Sequence, residues 1–240
     1  MQGNSKQITS NQTGIHPDLE PVVRRHLDSQ YRKPCGRVSQ AIFTEIAERV
    51  SEHGGPLILD SGCGTGEGAV TLARQFPNSL VVGLDKSSVR MEKAQAKAHG
   101  FDNLMLVRAE TVDLWRLART AGWKLQHHFL LYPNPWPKKQ HLKRRWHAHP
   151  VFPDLLALGG TLHLRSNWRL YLEEFAFAVD VATRRCFPVE TLEHGEPLSA
   201  FERKYWLSGQ TLYEYVADLD AQGRTAFVSS QGFKLSETNQ

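Results

Sequence analysis

Apolar and polar residues recur along this chain in two periods, and the periods divide it into elements. Between Ser39 and Ser51, the residues Ile42, Phe43, Ile46, Ala47 and Val50 share one face of a helix. Gly54-Gly55-Pro56 ends that helix. Leu57 to Asp60 then reads as a buried strand, followed by a glycine-rich turn and a helix carrying Ala69, Val70, Leu72, Ala73 and Phe76. The alternation continues with a strand at Leu80 to Leu84, a helix at Ser88 to His99 and a strand at Leu104 to Val107. A helix at Val112 to Ala121 and a strand at His127 to Tyr132 follow. Thr161 to Arg165 reads as a fifth strand, Leu170 to Thr183 as a helix and Leu212 to Leu219 as a late strand. A shorter helix is expected over Pro17 to Ser29. This alternation implies an α/β fold, a mostly parallel sheet with helices on both faces.

The ends are less patterned. Residues 1–16 are rich in Asn, Gln, Ser and Thr and are expected to be disordered unless a partner orders them. From Gln222 onward the pattern is weak, and Ala226 to Ser229 is either one short strand or none. The organisation is therefore a polar tail (1–16), a single domain (17–221) with a helical extension at 17–53, and a C-terminal tail (222–240).

Composition adds exclusions more than assignments. With 40% hydrophobic and 22% charged residues, a chain of 240 can bury a sizeable core. No apolar run approaches the ~18 residues of a membrane span, and the N-terminus lacks the apolar centre of a signal peptide. A cytoplasmic protein that does not engage membranes is expected. Cys35, Cys63 and Cys186 are far apart and form no CxxC pair, so neither a metal site nor a disulfide framework is indicated. Monomer and homodimer are both open. The net charge of +4 is modest, and its distribution matters more than its size.

The turn Asp60-Ser61-Gly62-Cys63-Gly64-Thr65-Gly66 lies between a strand and a helix, where nucleosides and dinucleotides bind. Glycines at 62, 64 and 66 permit positive φ and close backbone approach to a ligand. The nicotinamide fingerprint GxGxxG fits only from Gly64, with Ala69 in its last place. The leading acid argues against it, because Asp60 would repel a pyrophosphate and attract an ammonium or a sulfonium. Asp85 ends the second strand, where a carboxylate can accept from two ribose hydroxyls. Glu110, just past the third, could accept from an adenine amine. Capping of the following helix by Asp85 and simple solvation of Glu110 are the bland alternatives. The loop with Asp85 favours the cationic methyl donor S-adenosylmethionine.

The fourth strand runs into Tyr132-Pro133-Asn134-Pro135-Trp136-Pro137. Three prolines in five positions stiffen this backbone at the carboxyl end of a strand, where open α/β sheets bind ligands. Asn134 there can offer both an acceptor and a donor to a planar base; its bland alternative is a turn residue. Trp136 either stacks on a base or packs against the sheet. Then come Lys138, Lys139, His141, Lys143, Arg144 and Arg145, with no acid between Pro137 and Val151. A charge run is usually a solvated face, but beside a rigid aromatic segment it points to phosphate neutralisation. Arg32, Lys33 and Arg37 are candidates to extend the same patch.

The segment YPNPWPKKQHLKRR, Tyr132 to Arg145, resembles the FPDPWPKxxHxKRR signature of the tRNA (guanine-N7)-methyltransferase family. Leu158 to Thr161 with Arg165 to Trp168 is similar to that family's GG-strand-TDW element, and Leu198 to Lys204 to its T-x-[FY]-E motif. Arg37 to Gln40 loosely resembles an upstream R-x-T-x-x-Q element. The likeness runs from about Leu57 to Leu219. It implies a Rossmann-like class I methyltransferase with a seven-stranded sheet, S-adenosylmethionine as cofactor, no metal, and tRNA as partner. It places Asn134, Ser199 and Glu202 around the guanine and the methyl donor, and Asn167 on the substrate side. Only Glu202 keeps the family's residue. Asn134 and Asn167 stand where the family has Asp, Ser199 stands for Thr, and DSGCGTGEG replaces an acid followed by IGxGxG.

Guanine N7 carries an exposed lone pair, so methylation there needs positioning more than a base. A carboxylate near the base would stabilise the positive charge it acquires. Its loss as Asp→Asn would cost ~2–4 kcal/mol, a rate factor of roughly 30–1000. Three readings follow in order: a tRNA guanine-N7 methyltransferase, a methyltransferase for another nitrogen, and a tRNA-binding relative impaired in catalysis. The second rests on the partial similarity of Asn134-Pro135-Trp136 to the [DN]PP[YFW] motif of enzymes that methylate exocyclic or amide nitrogens.

Overall fold

The computed structural model describes residues 3–220. Seven strands form one sheet: β1 (Leu57–Ser61), β2 (Leu80–Asp85), β3 (Leu104–Arg108), β4 (His127–Leu131), β5 (Thr161–Ser166), β6 (Val189–Thr191) and β7 (Tyr213–Asp218). Their order is β3-β2-β1-β4-β5-β7-β6. The first five run parallel, and β7 is antiparallel to both β5 and β6.

The central strands are buried on both faces and sort their side chains by period two. Leu57, Leu59, Leu80, Val82, Leu130, Leu162 and Leu164 enter one core with Trp115, Phe152, Tyr171 and Phe175. Ile58, Val81, Phe129 and Leu131 enter the other, with Ala69, Leu72, Met91 and Ala94. Helices α1 (Leu19–Leu27), α2 (Arg37–His53), α5 (Thr111–Thr120), α6 (Phe152–Ala157) and α7 (Arg169–Thr183) supply the first core. Helices α3 (Glu67–Gln75) and α4 (Ser88–Gln95) supply the second. Helix α8 (Ala200–Leu207) lies beside the carboxyl ends of the strands, where its first residues line a cleft with the glycine loop.

Every element anticipated within the described residues is present, with ends shifted by a few residues. Five further pieces were not legible. Helix α6 is only six residues long. Helix α8 buries a single residue, the acid Glu202, and so has no apolar stripe to read. Strand β6 has three residues, none fully buried. Lys139–Arg144 and Trp146–Ala148 form short 3-10 turns inside the basic run. The possible strand at Ala226 to Ser229 and the tail 222–240 lie outside the described residues.

Residues 3–16 of the N-terminal stretch expected to be disordered lie along the domain. Gly3 N donates to Leu207 O at 2.8 Å, Ser10 Oγ to Pro137 O at 2.6 Å, and Lys139 N to Asn11 Oδ1 at 3.0 Å. Gln12 is buried and donates to Glu174 at 2.5 Å, as does His16 N at 2.9 Å. Composition hid this because the attachment uses hydrogen bonds rather than apolar burial. Among the described residues no helix is long and apolar enough to cross a membrane.

Candidate active site

Strands β1 and β4 are neighbours although two strands separate them in sequence. This is the reversal point at which open α/β sheets leave a crevice beyond their carboxyl ends. The glycine loop and Asp60 from β1, Leu131 from β4, Arg90 from α4, and Ser199, Phe201 and Lys204 from around α8 line that crevice.

The loop is built as its glycines require. Gly62, Gly64 and Gly66 have φ of +86, +59 and +78°, where a side chain would be strained. Gly62 N and Cys63 N both donate to Leu84 O, at 2.7 and 3.0 Å, which folds the loop back over β2. Ser61 turns away from the cleft: its Oγ accepts from Trp115 Nε1 and bonds His128 Nε2, both at 2.9 Å. Burial holds His128 neutral, its pKa lowered to about 3. The Cys63 thiol is also kept protonated, by burial and by the Asp60 and Asp85 carboxylates.

Asp60 is 1% exposed, and neither carboxylate oxygen has a hydrogen-bond partner among the described residues. Burial, reinforced by the Asp85 charge, raises its pKa to about 7. An unpaired buried carboxylate is costly, and a cation in the cleft would meet it. The ammonium of a methionine moiety has the required charge and donors, so Asp60 fits the cofactor expected from the sequence.

Asp85 is more committed than its position suggested. Oδ1 accepts from Ser87 N at 2.8 Å, and Oδ2 from Gly64 N at 3.2 Å and from Arg90 Nη1 at 2.9 Å. A ribose would share or displace the exposed Arg90. Sequence reasoning missed Arg90, although an arginine five residues after a strand-ending acid was a readable signal. Glu110 is exposed at the N-cap of α5, makes no capping bond and does not line the cleft.

The acceptor-side residues are dispersed. Asn134 is exposed, and its Oδ1 accepts from Trp136 N at 3.4 Å, the turn role held open as its bland alternative. The segment itself is strained, with Tyr132 at φ +53° and Trp136 at +45°, conformations that persist only when surroundings enforce them. Ser199 caps α8, its Oγ accepting from Glu202 N at 3.2 Å, while lining the cleft. Glu202 is fully buried, not a surface acid. It accepts from Tyr132 Oη at 3.0 Å, Leu198 N at 3.1 Å and Arg165 Nη1 at 3.1 Å. Its charge is thus compensated internally, and it ties β4, β5 and α8 together. Asn167 Nδ2 donates to Gln210 Oε1 at 2.7 Å, and Gln210 in turn donates to Ser5 O at 2.9 Å.

One basic residue is misassigned by the sequence reading. Arg145 is 0% exposed and pairs with Glu174, itself 0% exposed. It also donates to Trp136 O at 3.1 Å and to Gln12 Oε1 at 3.1 Å. It therefore anchors the proline segment and does not face solvent. A buried guanidinium with this many acceptors serves the fold. Lys138, Lys139, Lys143 and Arg144 are exposed, His141 is half-buried, and Arg144 lies over the Trp136 ring at 4.6 Å. Arg37 is exposed at the start of α2. Besides Arg90, three contributors were missed: Arg165, Tyr132 as a side chain, and the exposed Phe201, whose ring stacks on Tyr205 at 6.1 Å. No group of His, Cys, Asp and Glu suited to a metal ion occurs among the described residues.

Comparison with known proteins gives a family. A family model described as "Putative methyltransferase" matches residues 54–215. A tRNA (guanine-N(7)-)-methyltransferase of Halorhodospira halophila is 31% identical over 172 residues, covering 67% of this chain and 74% of the relative. Another of that description, from Aquifex aeolicus, is 32% identical over the same length, covering 67% of this chain but only 55% of the relative. Among solved structures, the 16S rRNA methyltransferase KamB superposes with a TM-score of 0.55 at 22% identity, covering 73% of this chain and 92% of that one. An antibiotic-related methyltransferase superposes at 0.52 with 12% identity, covering 73% and 94%. These likenesses show the class I methyltransferase fold.

Proposed function

The chain belongs to the tRNA (guanine-N7)-methyltransferase family, and from that premise we propose that it methylates N7 of a guanosine in tRNA, using S-adenosylmethionine. The observation that carries this reading is the unpaired Asp60 carboxylate at the crevice, with the strained YPNPWPKK segment following directly on Leu131, the residue of β4 that lines it. The cofactor supplies a methyl group on a sulfonium. Asp60 would hold the ammonium of its methionine moiety, and Asp85 the ribose hydroxyls, with Arg90 alongside. Burial and the Asp85 charge raise the Asp60 pKa to about 7, and an ammonium held there would favour the ionised carboxylate.

On the acceptor side no residue has to remove a proton, because N7 attacks through its lone pair. The work of the chain is to hold the base in line. Ser199, at the cap of α8, and Asn134, three residues past the end of β4, would flank the approach. Glu202 is a positioning residue: its carboxylate, already compensated by Arg165, holds Tyr132 and the start of α8. Charge on the methylated base is then met by neutral dipoles, which predicts a slow enzyme compared with relatives that carry Asp at position 134.

Unmodified tRNA incubated with the enzyme and S-adenosylmethionine, then digested for nucleoside mass spectrometry, tests the reading. Appearance of 7-methylguanosine is expected. Its absence at high enzyme concentration, or the appearance of another methylated nucleoside, rejects it.

A further inference from the structure

Helix α1 and the 3-10 turn at Lys139–Arg144 face each other across a second cleft, away from the cofactor crevice. On α1, Pro21, Val22 and Arg25 share one face by their three- and four-residue spacing. On the turn, Gln140 and Lys143 lie in line at three residues per turn, beside Lys139 and Leu142. Val22 and Leu142 are buried and form an apolar floor, while Arg25, Lys139 and Lys143 are exposed at the rim. Asp18 also lines the cleft, 3.9 Å from His16. The three cationic side chains make no ion pair among the described residues.

We infer that this cleft seats the sugar–phosphate backbone of the RNA substrate, with Arg25 of α1 as a phosphate contact alongside Lys139 and Lys143. Three cations against one acid favour a polyanion, and an apolar floor between cationic rims suits ribose flanked by phosphates. The charges converge in space: burial lowers the pKa of His26, and Arg25 and Lys143 both lower it further. With Arg145 buried, the linear basic run is not the footprint. The footprint joins part of that run to a helix more than a hundred residues earlier. One wall of the cleft belongs to the chain segment that the N-terminal strap holds through Asn11 and Gln12. This inference rests on the proposed tRNA substrate.

Anisotropy of labelled, unmodified tRNA across a salt series tests it, comparing the wild type with Arg25→Gln/Lys143→Gln. Each lost phosphate contact should reduce the slope of log affinity against log salt by about 1, so the double variant should lose about 2. Calorimetry with S-adenosylhomocysteine should give the wild-type affinity, which establishes that the fold and the cofactor crevice are intact. An unchanged slope in a folded variant overturns the inference while leaving the proposed reaction standing. Conversely, a reduced slope with no 7-methylguanosine formed supports the cleft and rejects the reaction. Failure of the wild type to bind tRNA overturns both.

Discussion

Two buried carboxylates in this molecule behave in opposite ways. Glu174 is fully buried on α7. Burial works against its ionisation, but the His147 hydrogen bond, the Arg145 charge and the Gln12 amide outweigh it and bring its pKa down to about 2. Asp60 is buried to the same degree and has no partner, and its pKa rises to about 7. Burial alone therefore does not separate structural from functional acids. What separates them is whether the fold has supplied the counter-charge. Around Glu174 it has, and the result joins the N-terminal strap, the proline segment and α7. At Asp60 it has not, among the described residues.

The sharpest way to break the comparison is to remove the cation beside Glu174. Arg145→Met should destabilise the protein by about 3–5 kcal/mol, because it strands a buried charge, and should lower Tm on the order of 10 °C. Arg145→Met/Glu174→Leu should regain most of that. A single variant with a wild-type melting curve would show that the buried cluster does not hold the fold.

The matching change at Asp60 should have the opposite sign for stability. A folded pKa of about 7 against an ordinary value near 3.8 makes the ionised group destabilising at higher pH. The folded state holds a proton that the unfolded chain has released, so stability is lost as pH rises from about 4 to 7. Asp60→Asn should remove that loss. Its stability advantage over the wild type should be near zero at pH 4 and grow to about 4 kcal/mol above pH 7. The same variant should bind S-adenosylmethionine at least tenfold more weakly, by the loss of a charge-assisted partner. Denaturant titrations at several pH values with cofactor calorimetry check both. A destabilised Asp60→Asn with unchanged affinity would contradict the contrast with Glu174.

Glu202 tests whether a third buried acid sides with Glu174. Glu202→Gln should cost about 1–2 kcal/mol in denaturant unfolding, since the amide can still accept and Arg165 keeps its 2.8 Å pair with Glu214. Turnover should change in step with that modest effect. A hundredfold loss of kcat at unchanged stability would instead place the carboxylate against the reacting base.

The smallest effect belongs to Asn134→Asp. An exposed turn residue should change stability by less than about 0.5 kcal/mol. Restoring the charge should raise the methylation rate by up to about tenfold, screened by solvent. A slower Asp variant in single-turnover assays would mean that the site is retuned for another acceptor.

How much was legible without coordinates follows the same division. The glycine loop was readable because its chemistry is contiguous: strand, acid, alternate glycines and helix within a dozen residues. Asp85 was readable as a position and Arg90 as a neighbour that went unread, but the engagement of Asp85 by the Gly64 backbone was not readable. Arg145 was misread because it follows a run of exposed lysines and arginines, and period alone does not reveal that the extended residue between two 3-10 turns points inward. Glu202 was legible only through its motif, since one buried acid gives α8 no apolar stripe.

By itself, then, the sequence determined the parallel α/β sheet, the cofactor loop and the acid that leads it. These depend on local periodicity, on glycine's access to positive φ and on an acid fixed at a strand end. Tertiary structure alone decided which charges are free. The fates of Arg145, Glu202 and Glu174, the attachment of the N-terminal strap and the facing of Arg25 toward Lys143 arise from groups distant in sequence. Electrostatic compensation acts through space, so no window along the chain contains both partners.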